Sequence, residues 1–202
     1  MADTIRVIQY GLGPIGSAVA RHVVERPGLE LVGAVDIDPD KAGVDVGQVI
    51  GLDRPLGFAV DQKLAHALDR TQADVVLHTT SSYFDLFKPQ IIELLEAGLD
   101  VVSTAEELSF PWLANPEDAA EVDAAAKKAG KTVLGTGVNP GFVMDLLPLC
   151  LTGVCVRVDG LRIERVVDAS KRRLPLQRKV GAGLTERAFQ ERLATGHFGH
   201  IG

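Results

Sequence analysis

Apolar residues fall in short runs divided by turn signals, and strand-like and helical periods alternate along the first two thirds of the chain. Residues 5–10 form a short apolar run, and Gly11-Leu12-Gly13-Pro14-Ile15-Gly16 follows at once. Behind it, Ile15, Ala18, Val19, His22 and Val23 lie at i, i+3, i+4, i+7 and i+8, which predicts a helix with that face inward. Pro27-Gly28 stops the helix, and a second apolar run over 29–35 ends at Asp36. Residues 42–56 are Gly-rich and show no clear period. A short strand is expected at 57–60 and a helix at 63–69. Residues 74–78 read as a continuous strand of the kind buried in a parallel sheet.

The next helix runs to about residue 97, with Pro89 near its first turn and Ile91, Ile92, Leu94 and Leu95 inward, and Gly98 ends it. A strand is expected at 99–104. Asn115-Pro116-Glu117-Asp118 opens a helix that Lys127, Lys128 and Gly130 close with matching C-terminal signals. A further strand is expected at 132–136. Repeated βα units with short loops predict an α/β fold, a Rossmann-type doubly wound parallel sheet.

Beyond that point the pattern changes. An apolar connector helix over 142–151, bent at Pro148, is expected to be buried. Residues 154–158 and 161–167 alternate as the strands of an antiparallel sheet do. A basic loop over 171–179 and an amphipathic helix over 185–194 follow. The expected organisation is a dinucleotide-binding domain over 1–139, then a connector helix and the start of an α+β substrate and dimerisation domain over 140–202.

The glycine stretch carries the first chemistry. Glycine permits the tight turn and lets backbone N–H groups approach a pyrophosphate, which then sits on the helix N-terminus. Pro14 suits a first helical position, and Asp36 comes twenty residues after Gly16, where an acid that binds ribose is expected. Gly11, Gly13, Pro14, Ile15, Gly16 and Asp36 are therefore candidate cofactor residues. Thr79, Thr80 and Ser81 stand at a strand's carboxyl end, the edge where doubly wound sheets bind ligands. They are read both as crevice lining and as a hydroxyl-rich cap for the next helix. Asp36, with Asp38 and Asp40 nearby, favours NAD(H). Lys41 works the other way, and NADP(H) stays open.

Glu106 and Glu107 follow a strand at the same edge. A carboxylate beside a nicotinamide serves as general base or stabilises a cationic intermediate, whereas paired acids also start ordinary solvated helices. Net charge −6 argues against nucleic acid or an anionic membrane as partner. No apolar run approaches the ~18 residues of a membrane span. The N-terminus reads as lacking a signal peptide, so a cytoplasmic location is expected. Cys150 and Cys155 have no metal-site spacing and are expected to be buried, and the five histidines form no ligand set, so no metal is expected.

The segments Val76-Leu77-His78-Thr79-Thr80-Ser81-Ser82, Ser103-Thr104-Ala105-Glu106-Glu107-Leu108 with Pro111-Trp112, and Gly135-Thr136-Gly137-Val138-Asn139-Pro140-Gly141-Phe142-Val143-Met144-Asp145 resemble the 2,4-diaminopentanoate dehydrogenase and native amine dehydrogenase family. That family lies within the dihydrodipicolinate reductase-like group. The tail from Gly196-His197 to Gly199-His200-Ile201-Gly202 is similar to theirs too. The resemblance implies condensation of a small carbonyl compound with ammonia and reduction of the imine by a nicotinamide cofactor. A glutamate of the Glu106-Glu107 pair is implied as acid/base. Asn139 and the turn after it are implied at the nicotinamide, with Phe142, Met144 and Asp168 towards the substrate. Family members run well beyond 202 residues, so the chain is expected to be truncated relative to them. A half-built sheet after residue 154 is expected to pair with a partner, giving a homodimer.

Four rivals make different demands. A dihydrodipicolinate reductase carries adjacent histidines, which this sequence lacks. A semialdehyde dehydrogenase needs a cysteine nucleophile beside the nicotinamide, and both cysteines lie past the pocket motifs. A carbonyl reductase or a non-catalytic dinucleotide-binding protein keeps the fold without the amine chemistry, because fold does not set function. The basic residues Lys171, Arg172, Arg173, Arg178 and Lys179 read as a substrate-carboxylate clamp or, preferably, as a solvated or dimer-facing loop.

Overall fold

A computed structural model of the chain describes residues 4–194, so the tail motif at 196–202 lies outside the described residues. The chain divides into two compact units, Met1–Gly141 and Phe142–Gly202.

The first unit is an all-parallel five-stranded sheet in the order β2-β1-β3-β4-β5. Its strands are β1 (Ile5–Tyr10), β2 (Leu29–Val35), β3 (Val75–His78), β4 (Asp100–Ser103) and β5 (Val133–Gly135). Helices α1 (Pro14–Glu25), α2 (Val46–Val49), α3 (Leu64–Leu68), α4 (Phe84–Glu96) and α5 (Pro116–Ala129) connect or flank them. The expected α/β class is borne out. One core cluster gathers Ile8, Val76, Val101, Phe84, Phe87, Ile91, Leu94 and Leu95. The other packs Val7, Leu31 and Ala34 against Ala20 and Val23 of α1. Phe84 and Phe87 have essentially no exposed surface, which contributes about 1.5–3 kcal/mol each by removal of apolar area from water.

Several sequence expectations shift. The buried face of α1 is Gly16, Ala20 and Val23, whereas Ile15 and His22 are exposed. Small residues face the sheet because the helix starts hard against the β1 and β3 loops. Pro89 sits inside α4 rather than in its first turn. Residues 57–60 give isolated bridges at Ala59 and Val60 instead of a strand. The unclear stretch 42–56 holds α2, which Asp45 caps by accepting from Gly47 N. α5 begins at Pro116 and ends on left-handed Gly130 as expected, although the Asn115 side chain makes no capping bond.

The second unit contains α6 (Leu147–Leu151), α7 (Leu174–Val180) and α8 (Glu186–Leu193). The Thr185 hydroxyl caps α8, accepting from Ala188 N. Part of the expected basic loop is helical, as α7. The strands expected at 154–158 and 161–167 are absent among the described residues. Val154, Val156 and Val166 are almost fully exposed. Alternation supplies a strand with an apolar face but not the surface that face needs, and two strands alone are marginal in water. For the same reason the connector is not buried, and Cys150 and Cys155, expected inside, are exposed. No helix among the described residues is long and apolar enough to cross a membrane.

Candidate functional site

β1 and β3 are neighbours, yet the chain between them visits β2 on the far side of β1. Their carboxyl ends therefore flank the point where the winding reverses, the crevice in which doubly wound sheets of this strand order bind ligands. The glycine loop leaves β1 into that crevice. Gly11 has φ +90°, and a Cβ on it would lie 2.7 Å from the Thr79 carbonyl oxygen. On Gly16 a Cβ would lie 1.9 Å from the Gly11 carbonyl oxygen and 2.5 Å from Thr79 Oγ1. Both glycines are thus required by the protein itself. Gly13 is different: a Cβ there would meet nothing within 4 Å. Its open backbone is the N-cap of α1, with Pro14 in the first turn and the Ile15 side chain exposed beside it.

Thr79 acts inside this loop. Its hydroxyl donates to the Gly11 carbonyl at 2.8 Å and accepts from Gln9 Nε2 at 2.8 Å. Gln9 Nε2 also reaches the Gly11 carbonyl at 2.9 Å. The Asp36 carboxylate closes the other side, accepting from Leu12 N at 2.6 Å and Asp38 N at 2.9 Å. Lys41 Nζ lies 3.1 Å from Asp36 and 3.3 Å from Asp38. Burial opposes the lysine's charge, but the bonds from the two aspartates outweigh it and hold Lys41 above its ordinary pKa. The acid expected at the ribose is therefore tied to the glycine loop and partly neutralised.

The β3 and β4 ends build a second edge. Ser81 Oγ accepts from Tyr83 N at 3.3 Å, the turn-forming half of its two expected roles. Thr80 Oγ1 donates to Gln90 Oε1 at 2.6 Å. Glu106 and Glu107 begin the short turn Glu106–Leu108. Here the pair divides. Glu107 Oε2 accepts from Phe84 N, the first residue of α4, at 2.5 Å, and Glu107 N donates to the Ser82 carbonyl. That carboxylate caps the positive end of α4.

Asn139 follows β5 in the first unit, and its Oδ1 is a buried acceptor without a hydrogen-bond partner. Phe142, Met144 and Asp168 belong to the second unit. Asp168 is exposed, its carboxylate accepting from the Ser170 hydroxyl at 2.7 Å and Ser170 N at 3.0 Å. Sequence reasoning passed over Gln9, His78 and Ser103, all fully buried. The available signal was a polar residue within or ending a strand whose neighbours are apolar, since buried polar groups need dedicated partners. A separate cavity of about 390 Å³ lies against α5 and β5, lined by Trp112, Val122 and Leu134 among others, and includes neither the glycine loop nor the glutamates.

Residues 5–105 match the family of the dihydrodipicolinate reductase N-terminus. Residues 142–202 match the 2,4-diaminopentanoate dehydrogenase C-terminal domain. The chain is 32% identical to a 2,4-diaminopentanoate dehydrogenase of Acetoanaerobium sticklandii, over 99% of this chain and 57% of that protein. It is also 32% identical to an amine dehydrogenase of Streptomyces virginiae, over 82% of this chain and 47% of that one. Among solved structures, the amine dehydrogenase of Mycobacterium smegmatis superposes with a TM-score of 0.71 at 36% identity, covering 78% of this chain and 46% of its own. The chain thus spans about half the length of the curated relatives it matches.

Proposed function

Because the chain belongs to the 2,4-diaminopentanoate dehydrogenase family of the dihydrodipicolinate reductase-like group, we propose that it carries the cofactor-binding half of a nicotinamide-dependent amine dehydrogenase. The reaction is condensation of a small carbonyl compound with ammonia and reduction of the imine, with oxidative deamination as its reverse. One observation carries this reading: the glutamate turn stands at the carboxyl end of β4, beside the β1/β3 crevice that the glycine loop enters.

The cradle suits a dinucleotide. Gly13 leaves the start of α1 open to a pyrophosphate, which the helix N-terminus favours. Asp36 takes the ribose hydroxyls and disfavours a 2′-phosphate, with Lys41 moderating that selection. Asn139 Oδ1, a buried acceptor lacking a donor, suits an amide N–H of the ligand. When bound, the nicotinamide supplies the hydride. Both glutamates begin the turn at the carboxyl end of β4; Glu107 holds the first N–H of α4, and we assign the proton work to Glu106. From ammonium and the carbonyl to the iminium and water, two protons pass from nitrogen to the carbonyl oxygen. The Glu106 carboxylate relays them in turn, the first making the carbinolamine hydroxyl and the second releasing it as water, and then stabilises the cationic iminium.

The test follows cofactor oxidation. NADH should be consumed only when carbonyl compound and ammonium are both present, and faster than NADPH. Consumption without ammonium would make the protein a carbonyl reductase, and preference for NADPH would reassign Asp36.

We place the homodimer contact in the second unit, on the strength of the exposed Val154, Val156 and Val166. Sedimentation at micromolar concentration should show dimers. Monomers alone would remove that part.

A further inference from the structure

His78 has no surface exposed to solvent, although it ends β3 at the edge of the proposed site. Three polar groups surround its ring. Nδ1 lies 2.9 Å from Ser103 Oγ, while Nε2 lies 2.8 Å from Gln90 Oε1 and 2.9 Å from Thr80 Oγ1. Tyr10 and Phe87 pack on it, their ring centroids 5.7 and 6.4 Å away. Burial pushes the imidazole below its ordinary pKa, against the pull of Gln90, so the ring is neutral.

The tautomer follows from its neighbours. Gln90 Oε1 is a carbonyl oxygen and accepts only, so Nε2 carries the hydrogen. Nδ1 is then an acceptor, and the Ser103 hydroxyl donates to it. Ser103 Oγ in turn accepts from Ala105 N at 3.1 Å, and Ala105 immediately precedes Glu106. Gln90 belongs to α4, the same helix whose first N–H is held by Glu107. The glutamate turn is therefore fastened at both ends. Ala105 hangs from Ser103 and His78, and Glu107 hangs from α4, to which His78 is tied through Gln90.

We infer that His78 is a positioning residue for the glutamate turn, setting Glu106 relative to the crevice through the Ser103–Ala105 link and the Gln90 link to α4. This role rests on the amine dehydrogenase reading for its effect on rate, but not for its effect on structure. The His78 side chain makes no hydrogen bond to the glycine loop or to Asp36, and Thr80, its one partner in the crevice lining, is also held by Gln90, so NADH binding should be nearly independent of it.

The test combines two readouts on the whole chain. In His78→Phe, which keeps bulk and removes the ring's three hydrogen-bond contacts, the Ala105 and Phe84 amides should exchange with solvent at least about 10-fold faster. kcat should fall about 100-fold, the scale of an ångström-size misplacement, while the Kd for NADH stays within about threefold. His78→Asn, whose amide oxygen can still accept from Ser103, should recover part of the loss. Ser103→Ala removes a single hydroxyl and guards against a misfolded histidine variant. It should reproduce the kcat loss, and the double variant should be no worse than His78→Phe alone, because the residues act in one chain.

Unchanged exchange at Ala105 and Phe84 in His78→Phe would overturn the inference whether or not the protein turns over. A loss of NADH affinity parallel to kcat would also overturn it, as mere destabilisation. An unmutated protein inactive with carbonyl and ammonium, yet showing the exchange changes, would sink the amine dehydrogenase reading and leave the structural role standing.

Discussion

Glu106→Gln should lose about 10²–10⁴ in kcat, the usual contribution of a positioned acid/base, while binding NADH as before. Glutamine keeps the size and the hydrogen-bonding reach of the side chain but cannot take a proton or balance a cation. Ammonia attack on a carbonyl passes through a carbinolamine that must lose water, and both that loss and the iminium's charge draw on a nearby carboxylate. Glu107→Gln should behave differently. Its amide oxygen can still accept from Phe84 N, so most turnover survives. Glu107→Ala removes that cap at a cost of roughly 0.5–2 kcal/mol in stability. Steady-state rates with ketone and ammonium, set beside thermal melts, separate the two residues. Full activity in both glutamine variants would remove the assigned base, and a dead Glu107→Gln beside an active Glu106→Gln would exchange their roles.

The glycine loop yields the second large effect, as a contrast between two similar changes. Gly16→Ala places a Cβ 1.9 Å from a backbone oxygen. Alanine gains about 1 kcal/mol of helix propensity over glycine, but a clash with backbone at that distance cannot be relieved by turning a side chain. Overpacking of about 1–3 kcal/mol therefore wins, with a fall in Tm of several degrees and loss of NADH binding. Gly13→Ala meets nothing within 4 Å, and Gly13 has φ −67° and ψ −174°, which alanine adopts freely. Its stability should hold or rise by about 0.4–1 kcal/mol, yet NADH affinity should fall, because the methyl group stands on the face offered to the pyrophosphate. Calorimetric melts and NADH titration on both variants decide the matter. A Gly13→Ala protein that binds NADH like the unmutated chain would move the cofactor away from this loop.

Much of the first unit could be read from the sequence because its signals are local. A glycine turn after an apolar run, a proline at a helix start and a glycine at a helix end each act within a few residues, so the order of β1, α1, β2, β3, α4, β4, α5 and β5 is legible along the chain. The glycine loop and the glutamate pair were legible for the same reason. Tertiary structure decided the rest. Which face of α1 lies inward depends on Gly11 and Thr79, the latter more than sixty residues away. Glu107 holds the first N–H of α4 because the fold brings that group within its reach. His78 gains a role from Ser103 and Gln90, which neither adjoin it in sequence nor follow any short period. In the second unit the alternating pattern specified an apolar face and nothing more. A strand is completed by the backbone beside it, and where no such partner packs, periodicity alone cannot make one.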